Sequence, residues 1–234
     1  MGMQKPPVML FAHPLAFAAF LHQIGASADG YLHRQSLPTT SRDPGLFVPV
    51  VRAWGMFKDA AKREDQHIGW HVGRFTGDQH LSAGLLRKLE SAPTLYRALH
   101  RLIKMVKTEA SHLQIGILER KLDILFYTRY PEMRDIPGYL GSQTYQLQVY
   151  IDLVRHFAGR DWKPPEIGTE ASQIPAFVRF QYPETQFKIN QPFGFISIPR
   201  SCLHTKLCAR HLYSPGSSSL VDTGLMDYSG VLAL

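Results

Sequence analysis

The spacing of apolar residues changes near residue 110, and this change constrains the fold more than any other feature of the chain. In the segment 91–110, one helix face carries an apolar residue at every third or fourth position: Leu95, Leu99, Leu102, Ile103 and Val106. In 113–117 and 122–126 the apolar residues alternate instead, which is the period of half-buried strands. Arg120 and Lys121 form a tight connection between these segments, so we expect a hairpin.

Helical spacing recurs before and after this hairpin. Pro49 suits the first turn of a helix because its missing N–H costs no hydrogen bond there, and Gly159 is placed to end another. The pattern predicts helices over residues 15–24, 49–64, 65–72 and 138–158. In the second of these we expect burial of Val50, Val51, Trp54, Phe57 and Ala61. In the last we expect burial of Leu140, Thr144, Leu147, Ile151, Val154 and Ala158.

The rest of the chain returns to short elements. Pro164 and Pro165 force an extended exit from the long helix, and we expect Trp162 to fold back as an apolar plug over the seam between helix and sheet. The pattern then predicts a strand over 166–169, a short helix over 174–182, and a second strand pair formed by TQFKI and FGFISI. The whole order predicts an α+β fold, with N-terminal helices and a small, mainly antiparallel sheet packed against long helices.

Composition narrows the class of protein without choosing one. With 234 residues, of which 44% are hydrophobic and 19% charged, the chain suits one large globular domain, or one domain with a tail. The net charge of +7 is compatible with nucleic acid, an acidic partner or an anionic ligand. The two cysteines, Cys202 and Cys208, form no disulfide framework, so we expect a reducing, cytoplasmic compartment.

The apolar run at 8–21, VMLFAHPLAFAAFL, has two interpretations. It is too short for a transmembrane helix, which needs about 20 apolar residues, so no membrane partner is expected. The core of a signal peptide is one alternative, but His13 and Pro14 interrupt the run and a single Lys precedes it. We therefore favour a buried amphipathic helix.

Residue groupings that could perform chemistry are scarce. His67 and His71 share a helix face, but the Glu that a zinc protease carries between them is absent, and two His leave a metal site short of ligands. The sequence also lacks a G-x-S-x-G motif and a phosphate-binding glycine loop before a helix. A second group has the spacing of no compact zinc finger: Cys202, His204, Cys208 and His211. We therefore predict no enzyme, no cofactor, and no catalytic or metal-binding residue.

Two sets of side chains remain as candidate binding surfaces. Arg97, Arg101 and Lys104 lie on one helix face, but no aromatic residues are interleaved with them, so we interpret this basic face as solvated. Aromatic residues concentrate in the middle of the chain and could line a small-molecule cavity between the sheet and the long helix. The candidate ligand-binding residues are Trp54, Trp70, Phe126, Tyr139 and Tyr145, of which the last two supply hydroxyls.

Six ordered segments resemble the N-terminal, arabinose-binding-type domain of AraC-family transcription regulators. They span about residues 25–205 and are GASADGYLHRQSLP, FVPVVRAWGMFKDAAK, HIGWHVGR, SAPTLYRALHRLIKM, GRDWKPPEI and FVRFQYPETQFKINQPFGFISIP. The fourth is similar to the family's S-x-P-T-L-x-E-A-L helix and is the most specific. The chain departs from the family at Arg97, where the family often has Glu, and at Leu85, where an aromatic residue often stands.

The resemblance implies a regulatory function. In that family the domain is thought to bind a small effector, to dimerise, or both, and to signal to C-terminal helix-turn-helix motifs. Residues 1–205 are thus expected to form the effector domain. Residues 206–234, which include SPGSSS, are expected to be a linker or tail without those motifs. The expected partners are an unidentified small effector, a second copy of the chain, and DNA only through the helix-turn-helix domain.

A second class of function stays open at this point. The chain could be a stand-alone small-molecule sensor, or a haem or metal sensor in which His67, His71 or another of the 11 histidines is an axial ligand. A visible absorption spectrum of the purified protein distinguishes these classes, because bound haem gives a Soret band and an effector domain without a cofactor is colourless.

Overall fold

The structure is a computed structural model that describes residues 6–39, 43–76 and 83–207. Within these ranges the helices are α1 (Ala12–Gln23), α2 (Ala28–Arg34), α3 (Val50–Arg63), α4 (Ile68–Thr76), α5 (Ala83–Glu90), α6 (Leu95–Met105), α7 (Tyr139–Ala158) and α8 (Ala176–Gln181). The strands are β1 (Val8–Leu10), β2 (Phe47–Pro49), β3 (Gln114–Glu119), β4 (Asp123–Arg129), β5 (Glu166–Gly168), β6 (Gln186–Lys188) and β7 (Gly194–Pro199). This is the predicted α+β class.

Strands β3, β4, β7, β5 and β6 lie side by side in that order and form one sheet, while β1 and β2 pair separately. The predicted hairpin is confirmed, since Gln114 of β3 pairs with Arg129 of β4. The predicted pairing of β6 with β7 is wrong, because β5 lies between them, antiparallel to β7 and parallel to β6. Alternating apolar residues indicate that a strand is half buried, but they do not identify its neighbour.

Helix α7 packs on this sheet and is central to the core. Phe126 of β4 is fully buried, and its ring meets that of Tyr150 edge to face, with centroids 4.6 Å apart. Helix α4 packs closely on the same helix because it carries glycine at the contact. A Cβ atom at Gly69 would lie 2.1 Å from the carbonyl oxygen of Gly141, so no larger residue fits there without a shift of the backbone.

The first turns of α4 and α6 depend on capping side chains. Helix α4 begins at Ile68 rather than at residue 65, because the Asp65 carboxylate accepts the His67 N–H at 2.7 Å and holds a turn there. Helix α6 follows Thr94, whose hydroxyl accepts the Arg97 N–H at 3.4 Å. Helical periodicity alone does not show where a side chain replaces the first backbone hydrogen bonds.

Two side chains predicted to be buried are exposed instead. Val51 of α3 is 56% exposed and Leu140 of α7 is 45% exposed. Val51 follows Val50, which is fully buried, and one step along a helix turns a side chain by about 100°, away from the core. Leu140 stands in the first turn of α7, at the rim of the buried surface. The last members of both predicted faces, Ala61 and Ala158, are half buried.

The apolar run at the N-terminus forms a short strand followed by a helix. Strand β1 covers Val8–Leu10, and α1 begins at Ala12 rather than at residue 15, with Pro14 in its first turn. The helix buries Phe17 and Leu21 in the core as expected, but the expectation of an amphipathic helix is wrong, because its other side is also largely apolar. In the three described ranges no helix is long and apolar enough to cross a bilayer.

The chain turns sharply after α7, and a side-chain hydrogen bond holds the turn. Gly159 ends the helix as predicted, with a φ angle of +100°. Trp162 is half buried and packs against the core, and its carbonyl oxygen accepts a hydrogen bond from Arg155 Nε at 3.0 Å. Trp162 therefore serves the fold at this corner. The features predicted beyond it, SPGSSS, Cys208 and His211, lie outside the described residues.

Candidate functional site

A small cavity of about 30 Å³ lies among α1, α3, α6, α7 and the segment that leads into β3. Much of its wall is apolar, with contributions from Met9, Phe17, Phe57, Leu102, Val106 and Ile115. The wall also contains polar side chains, chiefly His13, Glu109, His112, Tyr130, Tyr145 and Tyr150. An apolar wall with a few converging polar groups is typical of small-molecule sites.

Local sequence patterns account for those polar side chains of the wall that lie on α7 or directly after β4. Tyr130 continues the alternation of β4, in which Thr128 is fully buried. On α7, Ser142, Gln146 and Tyr150 stand four residues apart and therefore share one face. The strand and the helix thus direct hydroxyl groups to the same region of the core.

Three polar side chains of the cavity approach one another. His13 Nδ1 lies 3.4 Å from the hydroxyl oxygen of Tyr145, and His13 Nε2 lies 3.8 Å from Glu109 Oε2. Burial raises the pKa of Tyr145 above its usual value, and the negative charge of Glu109 raises it further. The Tyr145 hydroxyl therefore stays protonated at neutral pH and can donate a hydrogen bond.

Three further side chains, which we call the cavity cluster, are His112, Tyr130 and Tyr150. Tyr130 is 2% exposed, Tyr150 is fully buried, and neither hydroxyl has a hydrogen-bond partner among the described protein groups. The same holds for His112 Nδ1, which is buried although the residue is partly exposed. The Thr128 and Ser142 hydroxyls lie close enough to lower the pKa of Tyr130, and Thr128 and Gln146 do the same for Tyr150, but none of these contacts reaches hydrogen-bond geometry. Each unpartnered buried group costs about 1–3 kcal/mol, which a ligand with complementary polar atoms would offset.

Burial sets the protonation states of the cavity cluster. Burial, together with the smaller effect of nearby His13, lowers the pKa of His112 to about 3, so its ring is neutral at physiological pH. Burial raises the pKa of Tyr130 and that of Tyr150 well above the usual value of a phenol. All three side chains are therefore uncharged at pH 7, and both phenols keep the proton that a hydrogen-bond donor needs.

Aromatic rings hold the cavity cluster in place. The Trp54 ring makes edge contacts with His112 and with Tyr130, each at a centroid distance of 5.2 Å. The His112 and Tyr130 rings are themselves nearly parallel, at 5.6 Å and 15°. The indole Nε1 of Trp54 is also buried without a partner among the described groups. The Trp54 ring therefore packs against two residues of the cavity wall.

A second set of polar side chains, which we call the Gln143 network, consists of the buried Tyr139, Gln143 and Thr169, the partly buried Glu170 and the exposed Arg134. The Gln143 amide donates to Glu170 Oε1 at 2.8 Å and to the Tyr139 hydroxyl at 3.2 Å. Its carbonyl oxygen accepts from the Thr169 hydroxyl at 2.9 Å and from the Glu170 N–H at 3.0 Å. Tyr139 donates to Glu170, which also pairs with Arg134 at 3.0 Å. This network ties the start of α7 to the segment after β5.

The structure brings some of the five predicted ligand-binding residues together. Tyr145 lines the cavity, and Trp54 stands beside its wall. Tyr139 contacts the Trp54 ring at 5.9 Å, but its hydroxyl belongs to the Gln143 network. Phe126 packs on the cavity cluster from the sheet. Trp70 is buried on α4 and does not line the cavity.

Tyr150 belongs to the aromatic concentration in the middle of the chain but not to the five candidates, and sequence patterns single out none of His13, Glu109, His112 and Tyr130. Tyr130 could have been found by extending the alternation of β4 one step beyond the strand. His13, Glu109 and His112 come from a helix start and from irregular chain before β3, where no period relates one to another. Only the tertiary fold places these three side chains next to each other.

A wider groove of about 490 Å³ lies between α1 and α2 and is open to solvent. Its lining is composed of small or surface side chains, among them Leu15, Ala18, Ala19, His22, Ser27 and Asp29. None of the described polar atoms that are buried without a partner belongs to this lining. We therefore place the candidate site in the smaller cavity.

The histidines considered as metal ligands have other contacts. His71 Nε2 lies 2.9 Å from Asp65 Oδ2, and the His71 ring stacks on Phe177 at 4.3 Å. Burial lowers the pKa of His71, and the charge of Asp65 opposes that change. In the part of the chain that the structure describes, no three His, Cys, Asp or Glu side chains are grouped as metal ligands.

The fold of this chain is shared with a transcription regulator. One match is the crystal structure of CdpR from Pseudomonas aeruginosa, with a TM-score of 0.56 and 11% sequence identity. The match covers 77% of this chain and 56% of that regulator, so the chain spans a little over half of the regulator's length. At this identity the likeness concerns the fold alone. Neither a family model nor a curated protein matches the chain.

Proposed function

We propose that this chain is the effector-binding regulatory domain of an AraC-type transcription regulator, and that the effector binds in the cavity beside α7. The fold shared with a transcription regulator supports the regulatory part. The six AraC-like segments support the finer assignment. Two of them have a physical role in this fold: HIGWHVGR supplies Gly69 at the contact of α4 with α7, and GRDWKPPEI supplies the corner at Trp162.

The observation that carries the binding proposal is the cavity cluster. The hydroxyls of Tyr130 and Tyr150 and the Nδ1 atom of His112 are buried without partners among the described protein groups, and all three residues line the cavity. A ligand that forms hydrogen bonds there would offset a cost of about 1–3 kcal/mol for each group. The Gln143 amide on the same helix has hydrogen-bond partners for both of its polar atoms. Missing partners are therefore not a general feature of the buried polar groups of α7.

The small size of the cavity would couple binding to a change of shape. A volume of about 30 Å³ is room for roughly two water molecules, whereas small-molecule pockets measure about 300–1,000 Å³. An organic effector must therefore move the walls apart, and it binds the widened form better than the narrow one. A difference in affinity between two forms is what an effector needs in order to shift their populations.

Binding without catalysis is the role we propose for this cavity. His13 and Glu109 face each other, but their nearest atoms are 3.8 Å apart, beyond the distance of about 2.6–3.2 Å at which catalytic groups exchange a proton. We interpret their contact, and that of His13 with Tyr145, as positioning of the wall. An effector released from the protein should therefore be chemically unchanged, and mass spectrometry of the released compound tests this.

A thermal-shift screen with two filled variants tests the proposal. The purified protein is screened against a library of small organic compounds, and each hit is repeated on Ala53→Leu and on Ala19→Leu. Ala53 is buried in the cavity wall, and Ala19 is exposed in the groove between α1 and α2. We expect hits that stabilise the original chain and Ala19→Leu but lose their effect on Ala53→Leu.

Three other results would contradict the proposal. Hits that fail only on Ala19→Leu would assign the site to the groove. Hits that survive both substitutions would place it elsewhere, and a screen without hits would remove the effector-binding role. Circular dichroism of Ala53→Leu checks that the variant is folded, and Tyr150→Phe, which adds no volume, repeats the test without crowding the core.

The regulatory part of the proposal has a separate test. We expect DNA binding to reside in a helix-turn-helix domain of the same regulator, and the effector to change the affinity of that full-length regulator for promoter DNA. A gel-shift titration with and without a confirmed hit measures this change. A hit that binds but leaves the DNA affinity unaltered would separate ligand binding from regulation. Dimerisation and a cytoplasmic location stay predictions, which sedimentation and cell fractionation can test.

A further inference from the structure

The unpartnered groups at the cavity are mainly hydrogen-bond donors. Tyr130 and Tyr150 each offer an O–H group, and Trp54 beside them offers an N–H group that cannot accept. The neutral ring of His112 offers at Nδ1 either a donor or an acceptor, according to its tautomer. A phenol oxygen can also accept a hydrogen bond, but a ligand that uses the O–H groups of Tyr130 and Tyr150 as donors must present acceptor atoms to them.

Another part of the wall is apolar. The Phe17 and Phe57 rings are stacked with a centroid distance of 4.5 Å. Leu102 and Val106, which also line the cavity, are almost fully buried. These side chains offer no hydrogen bond, so the part of a ligand that faces them must be apolar as well. The wall therefore combines apolar surface with hydroxyl donors.

The charge balance of the wall disfavours an ionised ligand. The one carboxylate of the lining, that of Glu109, already faces the His13 ring, and the His112 ring is neutral at physiological pH. No lysine or arginine belongs to the described lining. A buried anion would therefore meet no free cation, and an ammonium group would compete with His13 for Glu109. A buried charge without a partner is strongly unfavourable.

We propose that the cavity selects a neutral, largely apolar molecule whose polar end is a hydrogen-bond acceptor oxygen, held by the Tyr130 and Tyr150 hydroxyls. Ketones, esters, lactones and ethers of compact shape belong to this class. The inference rests on the proposed effector-binding function and adds to it the chemistry of the effector. It assigns selection to the cavity cluster and leaves the Gln143 network without a part in recognition.

Four probes of similar size test the inference by isothermal titration calorimetry. Acetophenone carries a neutral acceptor oxygen, ethylbenzene lacks it, benzoate is an anion, and benzylamine is a cation at neutral pH. We expect acetophenone to bind at least tenfold more tightly than each of the other three. On Tyr130→Phe and Tyr150→Phe the acetophenone affinity should fall about tenfold and the ethylbenzene affinity should not change. Tyr127→Phe is the matched control, because Tyr127 is half buried and does not line the cavity.

The outcomes separate this inference from the function on which it rests. Equal binding of ethylbenzene and acetophenone would overturn the inference and leave an unselective apolar site. Tighter binding of benzoate or benzylamine would overturn the chemical class alone. If none of the four probes binds, the inference is also overturned. The behaviour of the screening hits on Ala53→Leu would then decide whether the proposed effector-binding function still holds. A cavity that holds only water gives no response in either experiment.

Discussion

Two groups of polar side chains include residues of α7, and they differ in whether the protein itself completes their hydrogen bonds. In the Gln143 network the Gln143 amide makes hydrogen bonds through both of its polar atoms. In the cavity cluster, less than three turns further along the helix, the Tyr150 hydroxyl makes none with the described protein groups. The Tyr130 and Tyr139 rings are 5.4 Å apart, so the two groups are neighbours.

The difference separates a structural role from a binding role. A fully bonded polar network in a region of low dielectric constant is rigid and specifies one arrangement of the core. An unbonded one costs stability unless something else completes it. Neighbouring tyrosines can therefore have different roles. The distinction is whether the protein itself provides a hydrogen-bond partner for the hydroxyl.

Among the variants that test this comparison, Gln143→Leu should lower the free energy of unfolding the most. It removes four hydrogen bonds and leaves the Thr169 O–H and the Glu170 N–H without the acceptor that Gln143 provides. We expect the free energy of unfolding to fall by about 4 kcal/mol, as measured by urea denaturation. Gln186→Leu at an exposed position of β6 is the control, with an expected change below about 0.5 kcal/mol. Similar stability of the two variants would show that the network does not hold α7.

The lowered pKa of His112 should make the free energy of unfolding depend on pH. Its folded-state pKa of about 3 lies below the value of about 6.5 in an unfolded chain. Between these two values the unfolded chain holds a proton that the folded chain lacks, so the free energy of unfolding falls as the pH falls. From pH 7 to pH 4 this group should account for a loss of about 3 kcal/mol. Urea denaturation at several pH values measures it.

The controls for this pH effect are two substitutions of histidine by glutamine. His112→Gln should flatten the decline between pH 6 and pH 4, whereas His33→Gln at an exposed site of α2 should leave the decline as it is. Parallel declines of the original chain and of His112→Gln would mean that the His112 ring is hydrated and accepts a proton in the folded protein.

Tyr139→Phe should have an intermediate effect. The Tyr139 hydroxyl donates to the carboxylate of Glu170, and hydrogen bonds to charged groups contribute roughly 1.5–3 kcal/mol. We expect the free energy of unfolding to fall by about 2 kcal/mol, again by urea denaturation, and acetophenone affinity to be unchanged. A loss of affinity would make Tyr139 part of the recognition surface.

Tyr150→Phe should have the smallest effect on stability. Its hydroxyl has no partner to lose among the described groups, so the free energy of unfolding should change by less than about 0.5 kcal/mol, and a gain is as acceptable as a loss. The contrast with Tyr139→Phe is therefore a direct comparison of the two groups. If Tyr150→Phe is as destabilising as Tyr139→Phe, the hydroxyl contributes to stability and the cavity cluster loses its distinction.

The periodic parts of the fold could be predicted from the sequence. The β3–β4 hairpin and α7 with its end at Gly159 follow from local spacing and from one glycine. The insertion of β5 between β6 and β7 could not be predicted, because strand order depends on long-range pairing such as that of Ile167 with Ile196.

The site could be predicted only in part for a related reason. Aromatic clustering led to Tyr145 in the cavity wall and to Trp54 beside it, but also to Trp70, which belongs to the core elsewhere. Whether a buried hydroxyl is bonded depends on distances between elements far apart in sequence. For Tyr139 that distance involves Glu170, which no periodicity connects to it.

The most direct test of the cavity as an effector site is a nuclear magnetic resonance titration with isotope-labelled tyrosine. The chain has 10 tyrosines, and the signals of Tyr130, Tyr139 and Tyr150 are assigned from their Phe variants. On addition of acetophenone we predict that the ring signals of Tyr130 and Tyr150 shift in a saturable manner, while that of Tyr139 shifts far less. Shifts confined to Tyr139, or spread equally over all the rings, would contradict binding at the cavity cluster.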